Sequence, residues 1–268
     1  MRQQSSLARL LASAALTAIL AVGLGGCQTT SDITGSLSSK AEASPDSDPR
    51  RAVEVYGERY RADPKDADAA LAYGQALRAT GQRSQAVAVL EQATISHPGN
   101  KALLAGYGRA LTDNGNFQQG FDVLSRAHTP ENPDWHILSV QGTALDQLGQ
   151  HDEARRYYAS ALKIMPDEPS VLSNLGLSYV LSGDLPKAEE VLRKAYGSTR
   201  ADARVRQNLG LVVGLQGRFA EAETIVKADL PPDEAAANVA YLKQMLSRKD
   251  NPRSGAGRVP VAALSRPD

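Results

Sequence analysis

The sequence predicts an all-α chain, a right-handed solenoid of helical hairpins, and three observations predict it. Five glycines stand 34 residues apart without a slip: Gly74, Gly108, Gly142, Gly176 and Gly210. Five more follow seven residues behind them: Gly81, Gly115, Gly149, Gly183 and Gly217. Glycine is 22 of 268 residues, so filling one such column by chance in a preset register is improbable, on the order of a few in a million. The third observation is that small and large apolar residues keep the same phase. A fixed period of this length is the mark of a helical hairpin stacked into a solenoid.

With the first glycine at position 8, the repeats span 67–100, 101–134, 135–168, 169–202 and 203–236. Position 20 reads Ala86, Gly120, Ala154, Ala188 and Ala222, and position 27 reads Ala93, Ala127, Ala161, Ala195 and then Asp229. Position 24 is large: Leu90, Leu124, Tyr158, Leu192 and Val226. A glycine inside a helix costs roughly 1 kcal/mol against alanine, so a retained column implies that a Cβ there would strike the neighbouring helix. The small residues at positions 20 and 27 are the matching sites on the second helix, and the large ones at 24 fill space between hairpins. The glycines at position 15 fall where the first helix must end, where a left-handed residue caps it without strain. Pro98 and Pro166 stop the second helix at position 32, Pro133 does so one residue late, and no proline stands near Arg200. Generic amphipathic helices also space apolar residues at 3.6, but they do not hold columns in phase. These columns resemble the tetratricopeptide repeat over about two thirds of the chain.

At the N-terminus, Arg2 and Arg9 precede an apolar run from Leu10 to Leu24, broken only by Ser13 and Thr17, and Gly25-Gly26-Cys27 follows. The run is short for a membrane span, which needs about 20 residues, and has the layout of a secretory signal, residues 1–26. The Leu24-Gly25-Gly26-Cys27 string resembles a bacterial lipobox, which implies a covalent diacylglycerol and acyl lipid on Cys27. Cys27 is the only cysteine, so no disulfide can form within the chain, and lipidation accounts for an unpaired thiol in an exported protein. Residue 28 is Gln rather than Asp, and in the lipoproteins this resembles that implies the periplasmic face of the outer membrane. Residues 27–48 read as the lipidated cysteine and a polar tether, with an r.m.s. reach of roughly 25 Å.

Residues 49–66 keep the register as a half repeat, with Ala52 at position 20, Tyr56 at 24 and Pro64 at 32, so a lone second helix is expected there. The five full repeats follow over 67–236. Pro231-Pro232-Asp233 then offers a helix start, and Ala235, Val239, Leu242 and Leu246 make one stripe on a capping helix over 234–248. No glycine stands at the expected position 8, Gln244. The segment 249–268 holds Pro252, Gly255, Gly257, Pro260 and Pro267 with little periodicity and reads as a disordered tail.

Thirty basic residues face thirty acidic ones, and removing residues 1–26 takes away Arg2 and Arg9. A near-neutral mature chain without a basic block predicts no nucleic-acid partner and no electrostatic membrane binding beyond the lipid. His97, His128, His136 and His151 make no H-x-x-H spacing and read as solvated or capping residues. No phosphate loop or nucleophile elbow occurs. The expectation is a protein that is not an enzyme, without metal, cofactor or small-molecule substrate.

Several strings add a finer resemblance: Ser173-Asn174-Leu175-Gly176-Leu177-Ser178, Gln207-Asn208-Leu209-Gly210-Leu211, and Ala237-Asn238-Val239-Ala240-Tyr241-Leu242. With the lipobox and the layout, they are similar to the TadD family of tight-adherence (Flp) pilus assembly lipoproteins. The resemblance implies a scaffold for assembling a pilus or secretion complex, with a secretin among its candidate protein partners. A pilotin, an adaptor for outer-membrane assembly, or a regulatory partner of a cell-wall enzyme would share the layout. In a tetratricopeptide fold the first helix of each hairpin lines the groove through positions 2, 5, 6, 9, 12 and 13. Asp68, Gln75, Arg78, Arg109 and Asp113 stand there in the first two repeats. In the last two the set turns apolar, with Ser173, Asn174, Leu177, Val180 and Leu181, then Arg204, Gln207, Asn208, Leu211 and Leu215. This half is the expected partner-binding surface, with the asparagines offered to a ligand backbone. The competing expectation is that Leu177 and Leu211 pack against neighbouring first helices.

Overall fold

The computed structural model describes residues 48–250 of the chain, with side chains to residue 247. The signal, Cys27, nearly all of the tether and residues 251–268 lie outside the described residues. Twelve helices are present among the described residues, and the only other pairing is an isolated bridge between Thr129 and Asn132. The fold is an all-helical solenoid. A lone helix, α1 (Pro49–Ala62), precedes five hairpins. These are α2 (Ala67–Ala79) with α3 (Arg83–Ser96), α4 (Lys101–Asp113) with α5 (Phe117–Ser125), and α6 (Trp135–Gln147) with α7 (His151–Ile164). Then come α8 (Pro169–Leu181) with α9 (Leu185–Tyr196) and α10 (Ala203–Leu215) with α11 (Phe219–Val226), and α12 (Pro232–Asp250) closes the stack. The last helix starts ahead of residue 234 because Pro232 sits in the first turn, where its missing N–H goes unused. It also runs past residue 248, through Asp250.

The position-8 glycines work by contact within each hairpin. A Cβ built on Gly74 would lie 2.5 Å from Leu90 Cγ, one on Gly108 2.5 Å from Leu124, one on Gly142 2.6 Å from Tyr158, one on Gly176 2.6 Å from Leu192 and one on Gly210 2.5 Å from Val226. The large residue at position 24 therefore seats on the glycine of its own hairpin, and Leu90 also fills space between hairpins, lying 3.6 Å from a Cβ built on Gly106 of the next one. Leu90, Leu124, Tyr158 and Leu192 are almost wholly buried there. The alanines at position 20 are buried beside them. Close approach of the two backbones gives each hairpin a dry seam, and burying a leucine or phenylalanine-sized side chain stabilises by about 1.5–3 kcal/mol.

The first helix of each hairpin ends on the second glycine column. Gly81, Gly115, Gly149, Gly183 and Gly217 all have φ between +76° and +88°. The residue after each returns its N–H to a carbonyl five residues back, as Gln82 does to Leu77 at 2.8 Å and Asp184 to Tyr179 at 2.9 Å. This is the Schellman closure that satisfies orphan carbonyls. The start of the first helix is equally regular. Asp66, Asn100, Asp134, Glu168 and Asp202 are its N-caps, each accepting backbone N–H bonds from the first turn. They form a column 34 residues apart at position 34, supplying acceptors where four N–H groups would otherwise go unpaired.

The break in the position-27 alanine column also has a partner. Asp229 accepts from Arg206 Nε at 2.6 Å and Nη2 at 2.5 Å, a forked ion pair tying α10 to the end of the shortened α11. Between the fourth and fifth hairpins, Glu189 meets Arg218, Arg193 and Gln216. The Arg218 guanidinium is the main cause that holds the Glu189 carboxyl down at about 2.

Candidate functional site

Each first helix from α2 to α8 touches the first helix of the next hairpin, whereas second helices pack on first helices before and after them. The first helices therefore form the inner wall of the stack, and residues on their free side make its continuous face. That face is where the candidate residues of α8 and α10 fall, and they divide into distinct groups.

Ser173 is wholly buried and Leu211 is 8% exposed, so neither is open to a partner, a correction to the expected groove. The asparagines are also committed. Asn208 Nδ2 donates to Ser173 Oγ at 2.8 Å, and Asn174 Nδ2 donates to Ser139 Oγ at 3.1 Å. Each amide thus reaches back one repeat and ties consecutive first helices together through one of its two N–H groups. Val180 is half-buried against the core of Leu192, Leu209, Val212 and Val213. Leu177, Leu181, Gln207 and Leu215 are half-buried, and Arg204 is exposed. Three leucines, one valine, two asparagines, one glutamine and one arginine of the set keep some exposure.

At the joint between the third and fourth hairpins lies a polar knot that the columns do not reveal. Asp146, near the end of α6, has a side chain only 4% exposed. Its Oδ1 accepts from Ser178 Oγ of α8 at 2.8 Å and lies 2.9 Å from His151 Nδ1, while its Oδ2 accepts from Tyr158 Oη at 2.9 Å. Burial raises the Asp146 pKa, and the three partners only partly offset it. Burial, and then the charge of Asp146, push the Tyr158 phenol far up. His151 is therefore a buried-carboxylate partner, which corrects its reading as a solvated turn residue. Of the other histidines, His97 Nε2 lies 2.7 Å from the carbonyl of Lys65, 32 residues earlier, and His136 Nδ1 lies 3.1 Å from Asp134. His128 Nε2 lies 3.2 Å from Gln141 Oε1, while its Nδ1 is buried without a partner.

The N-terminal half of the inner face is cationic at one point. Arg78 donates to Asp113 from Nε at 2.7 Å. Arg109, half-buried on α4, makes no ion pair among the described residues, and its Nε is buried without a hydrogen-bond partner. Burial first, and then the like charge of Arg78, lower its pKa; a guanidinium nonetheless stays charged. No group of three or more His, Cys, Asp or Glu residues able to hold a metal occurs among the described residues, and none of their helices is long and apolar enough to cross a membrane. This surface offers half-buried leucines together with the guanidinium groups of Arg109 and Arg204.

Comparison with known proteins places these hairpins. Residues 136–201 match the family described as Tetratricopeptide repeat. Residues 51–127 match the family described as Anaphase-promoting complex, cyclosome, subunit 3. No curated protein matches the sequence. Among solved structures, the chain is similar to the Cut9–Hcn1 hetero-tetramer of the anaphase-promoting complex, with a TM-score of 0.61 at 18% identity. That match covers 78% of this chain and 41% of the other, so the chain spans about two fifths of that protein's length. It is also similar to TTC0263, a thermophilic TPR protein of Thermus thermophilus, with a TM-score of 0.59 at 21% identity over 66% of this chain and 99% of that one. At these identities the likeness speaks to fold, and it agrees with the glycine seams: the five hairpins form a tetratricopeptide-type solenoid, and residues 136–201 match that family.

Proposed function

We propose that the chain is a lipid-anchored scaffold that binds a protein partner during assembly of an envelope machine at the outer membrane, the tight-adherence (Flp) pilus secretion apparatus being the specific candidate. The observation that carries the reading is Cys27: the only cysteine of the chain, at the end of an apolar run, preceded by Gly25-Gly26 and followed by a polar stretch that leads into the solenoid. A thioether lipid there holds the protein at a membrane surface. The tether, with a reach of roughly 25 Å, lets the repeats stand clear of the headgroups. A tetratricopeptide solenoid is a protein-binding scaffold, and its inner face offers Leu177, Leu181 and Leu215 half-exposed, the kind of apolar surface that marks interaction sites.

The test is crosslinking capture from envelope membranes with the lipidated protein as bait. Wild type should recover components of one assembly machine. Cys27→Ser should leave an uncleaved or soluble form and lose that recovery. A Ser variant that still fractionates with outer membrane at the mature mass refutes the anchor. Replacing Leu177, Leu181 and Leu215 by Ser should abolish recovery with an unchanged melt; Leu211 is left out because it is core. Full recovery by the triple variant refutes the inner face as the binding surface.

A further inference from the structure

The two ends of the solenoid are complementary halves of one hairpin. α1 keeps the register of a second helix, with Ala52 at position 20, Tyr56 at 24 and Arg59 at 27, and no first helix precedes it among the described residues. Elsewhere the first helix covers this face: position 24 is buried in all five hairpins, and position 27 is a buried alanine in four. In α1, Tyr56 is half-buried and position 27 carries an exposed arginine.

α12 is the opposite half. It packs on α10 and α11, as each first helix packs on the hairpin before it. Its register follows from burial. Positions 3 and 10 are buried in every full repeat, and in α12 the buried residues are Ala235 and Leu242, seven apart. A Cβ built on Gly214, at position 12 of the fifth repeat, would lie 2.5 Å from Leu242 Cδ2. Asp146, also at position 12, meets Ser178 at position 10 of the next repeat in the same way. Leu242 is therefore position 10 and Ala240 is position 8, four residues ahead of Gln244. The seat is small, as in the five glycine seams, but no second helix lies on it among the described residues. Ala240 is exposed, and so is Ala236 at position 4, which is buried in four of the full repeats.

Charge fits the same pairing. The helices of a hairpin run antiparallel, so the first turn of one lies beside the last turn of the other. The first turn of α12 carries Asp233 and Glu234, and the last turn of α1 carries Arg59 and Arg61. All four are exposed, and none makes an ion pair among the described residues. Position 27 has a precedent for ion pairing across a hairpin, since Asp229 meets Arg206 at position 4. Arg59 stands at that same position, and Asp233, at position 1, lies one turn before position 4 on the same face.

We propose that the chain assembles head to tail: α12 of one copy takes α1 of a second copy as its second helix, with Tyr56 on Ala240 and Arg59 facing Asp233. The occupant of each end is thus the other end of an identical chain. The contact is heterologous, so it does not close on two copies and carries the superhelix on from molecule to molecule. The alanine seat supplies apolar burial, and the charges set direction. The inference goes beyond the scaffold role and depends neither on the lipid nor on the inner face.

The test is disulfide trapping in the full-length chain carrying Cys27→Ser, in which introduced cysteines are the only thiols. A side chain at position 24 seats on position 8, so Tyr56→Cys and Ala240→Cys bring two sulfurs within bonding reach. Each variant alone should stay monomeric in detergent micelles under mild oxidation, the two mixed should give a dimer, and one chain with both should give a ladder. Sedimentation velocity in density-matched detergent is the second measurement, because Tyr56→Cys also trims the knob. Asp233→Arg and Arg59→Glu should each weaken self-association about tenfold, and both in one chain should recover to within about threefold. A single dimer band from the double-cysteine chain means a two-fold contact and overturns the proposal. A chain monomeric at every concentration overturns it too, as do charge variants without effect or a double swap no better than the single ones. Association that appears only once residues 251–268 are removed would make the chain's own end the occupant of α12 and overturn a second copy.

Discussion

Gly176→Ala tests the hairpin seam by adding one methyl group. Two effects oppose each other. Alanine favours the helix over glycine by about 1 kcal/mol. Against this, the new Cβ would lie 2.6 Å from Leu192 Cγ and 3.1 Å from both its Cδ atoms. Cγ is the branch point of a wholly buried side chain, not a flexible end, so the hairpin must part or Leu192 must leave its rotamer. Overpacking of this kind costs roughly 1–3 kcal/mol. The net expectation is a loss of about 1 kcal/mol, a melting shift of roughly 2–4 °C at this size. Leu192→Ala alone should cost about 2–5 kcal/mol by opening a cavity. In the double variant the new methyl enters that space, so the losses should fall short of their sum by at least about 1 kcal/mol. The assay is a urea-melt cycle followed by circular dichroism, scored on midpoints at constant slope because repeat arrays can lose cooperativity. Gly81 provides the contrast: it has φ +76° with nothing within 4 Å of a built Cβ. There Gly→Asn should be milder than Gly→Ala, since asparagine tolerates the left-handed region; at Gly176 the order should reverse. Additive losses in the cycle, or the same order at both glycines, would refute the assignment of one column to contact and the other to conformation.

Asp146→Asn and Glu189→Gln should show opposite pH trends. The Asp146 pKa is raised by burial, so its contribution is fully present below the unfolded value of about 3.9 and declines as pH rises through the folded value. Asp146→Asn should therefore gain on wild type between about pH 4 and neutrality. Glu189 is pulled down to about 2, so its contribution is present above the unfolded value of about 4.3 and is lost as pH falls. Glu189→Gln should lose ground on wild type as pH rises over that acidic range. Urea midpoints at several pH values check both, and parallel trends would contradict the two environments. Asp202 accepts from the Val205 N–H at 3.0 Å, so Asp202→Ala should cost about 1 kcal/mol and Asp202→Asn only a few tenths; equal losses in thermal melts would mean the cap contributes nothing.

What the sequence revealed follows from what repeats. The glycine columns expose the hairpins because only glycine satisfies both the close approach at Gly176 and the positive φ at Gly81, so residue identity alone carries the signal. The N-cap column has the same period, but Asp, Asn and Glu all serve as its acceptors, and mixed identities hide it. The Asn-to-Ser ties are 35 residues apart rather than 34. They join position 6 to position 5 of the repeat before, and an aligned column cannot show them. That offset is why the asparagines read as ligand donors. Ser173 and Leu211 were misplaced for a related reason: a first helix is covered on both sides by neighbouring first helices, so part of its inner-facing set is core. Asp146 occurs in one repeat only, and its partners come from α6, α7 and α8. A singular polar contact has no period to betray it.

That singular knot also lies where the character of the inner face changes. Before it stand Arg78, Arg109 and Asp113; beyond it stand Leu177, Leu181 and Leu215. Most joints of a solenoid are apolar and interchangeable, which leaves small rotations between repeats weakly specified. A buried carboxylate with three directed partners specifies one rotation, because slipping the joint would leave the charge unpaired at a cost of several kcal/mol. Ser178 is the partner that crosses from the third hairpin to the fourth, at 2.8 Å. Fixing that joint sets how the first helix of the third hairpin faces that of the fourth. The polar knot thus adds directed contacts at the joint where the inner face turns from charged to apolar.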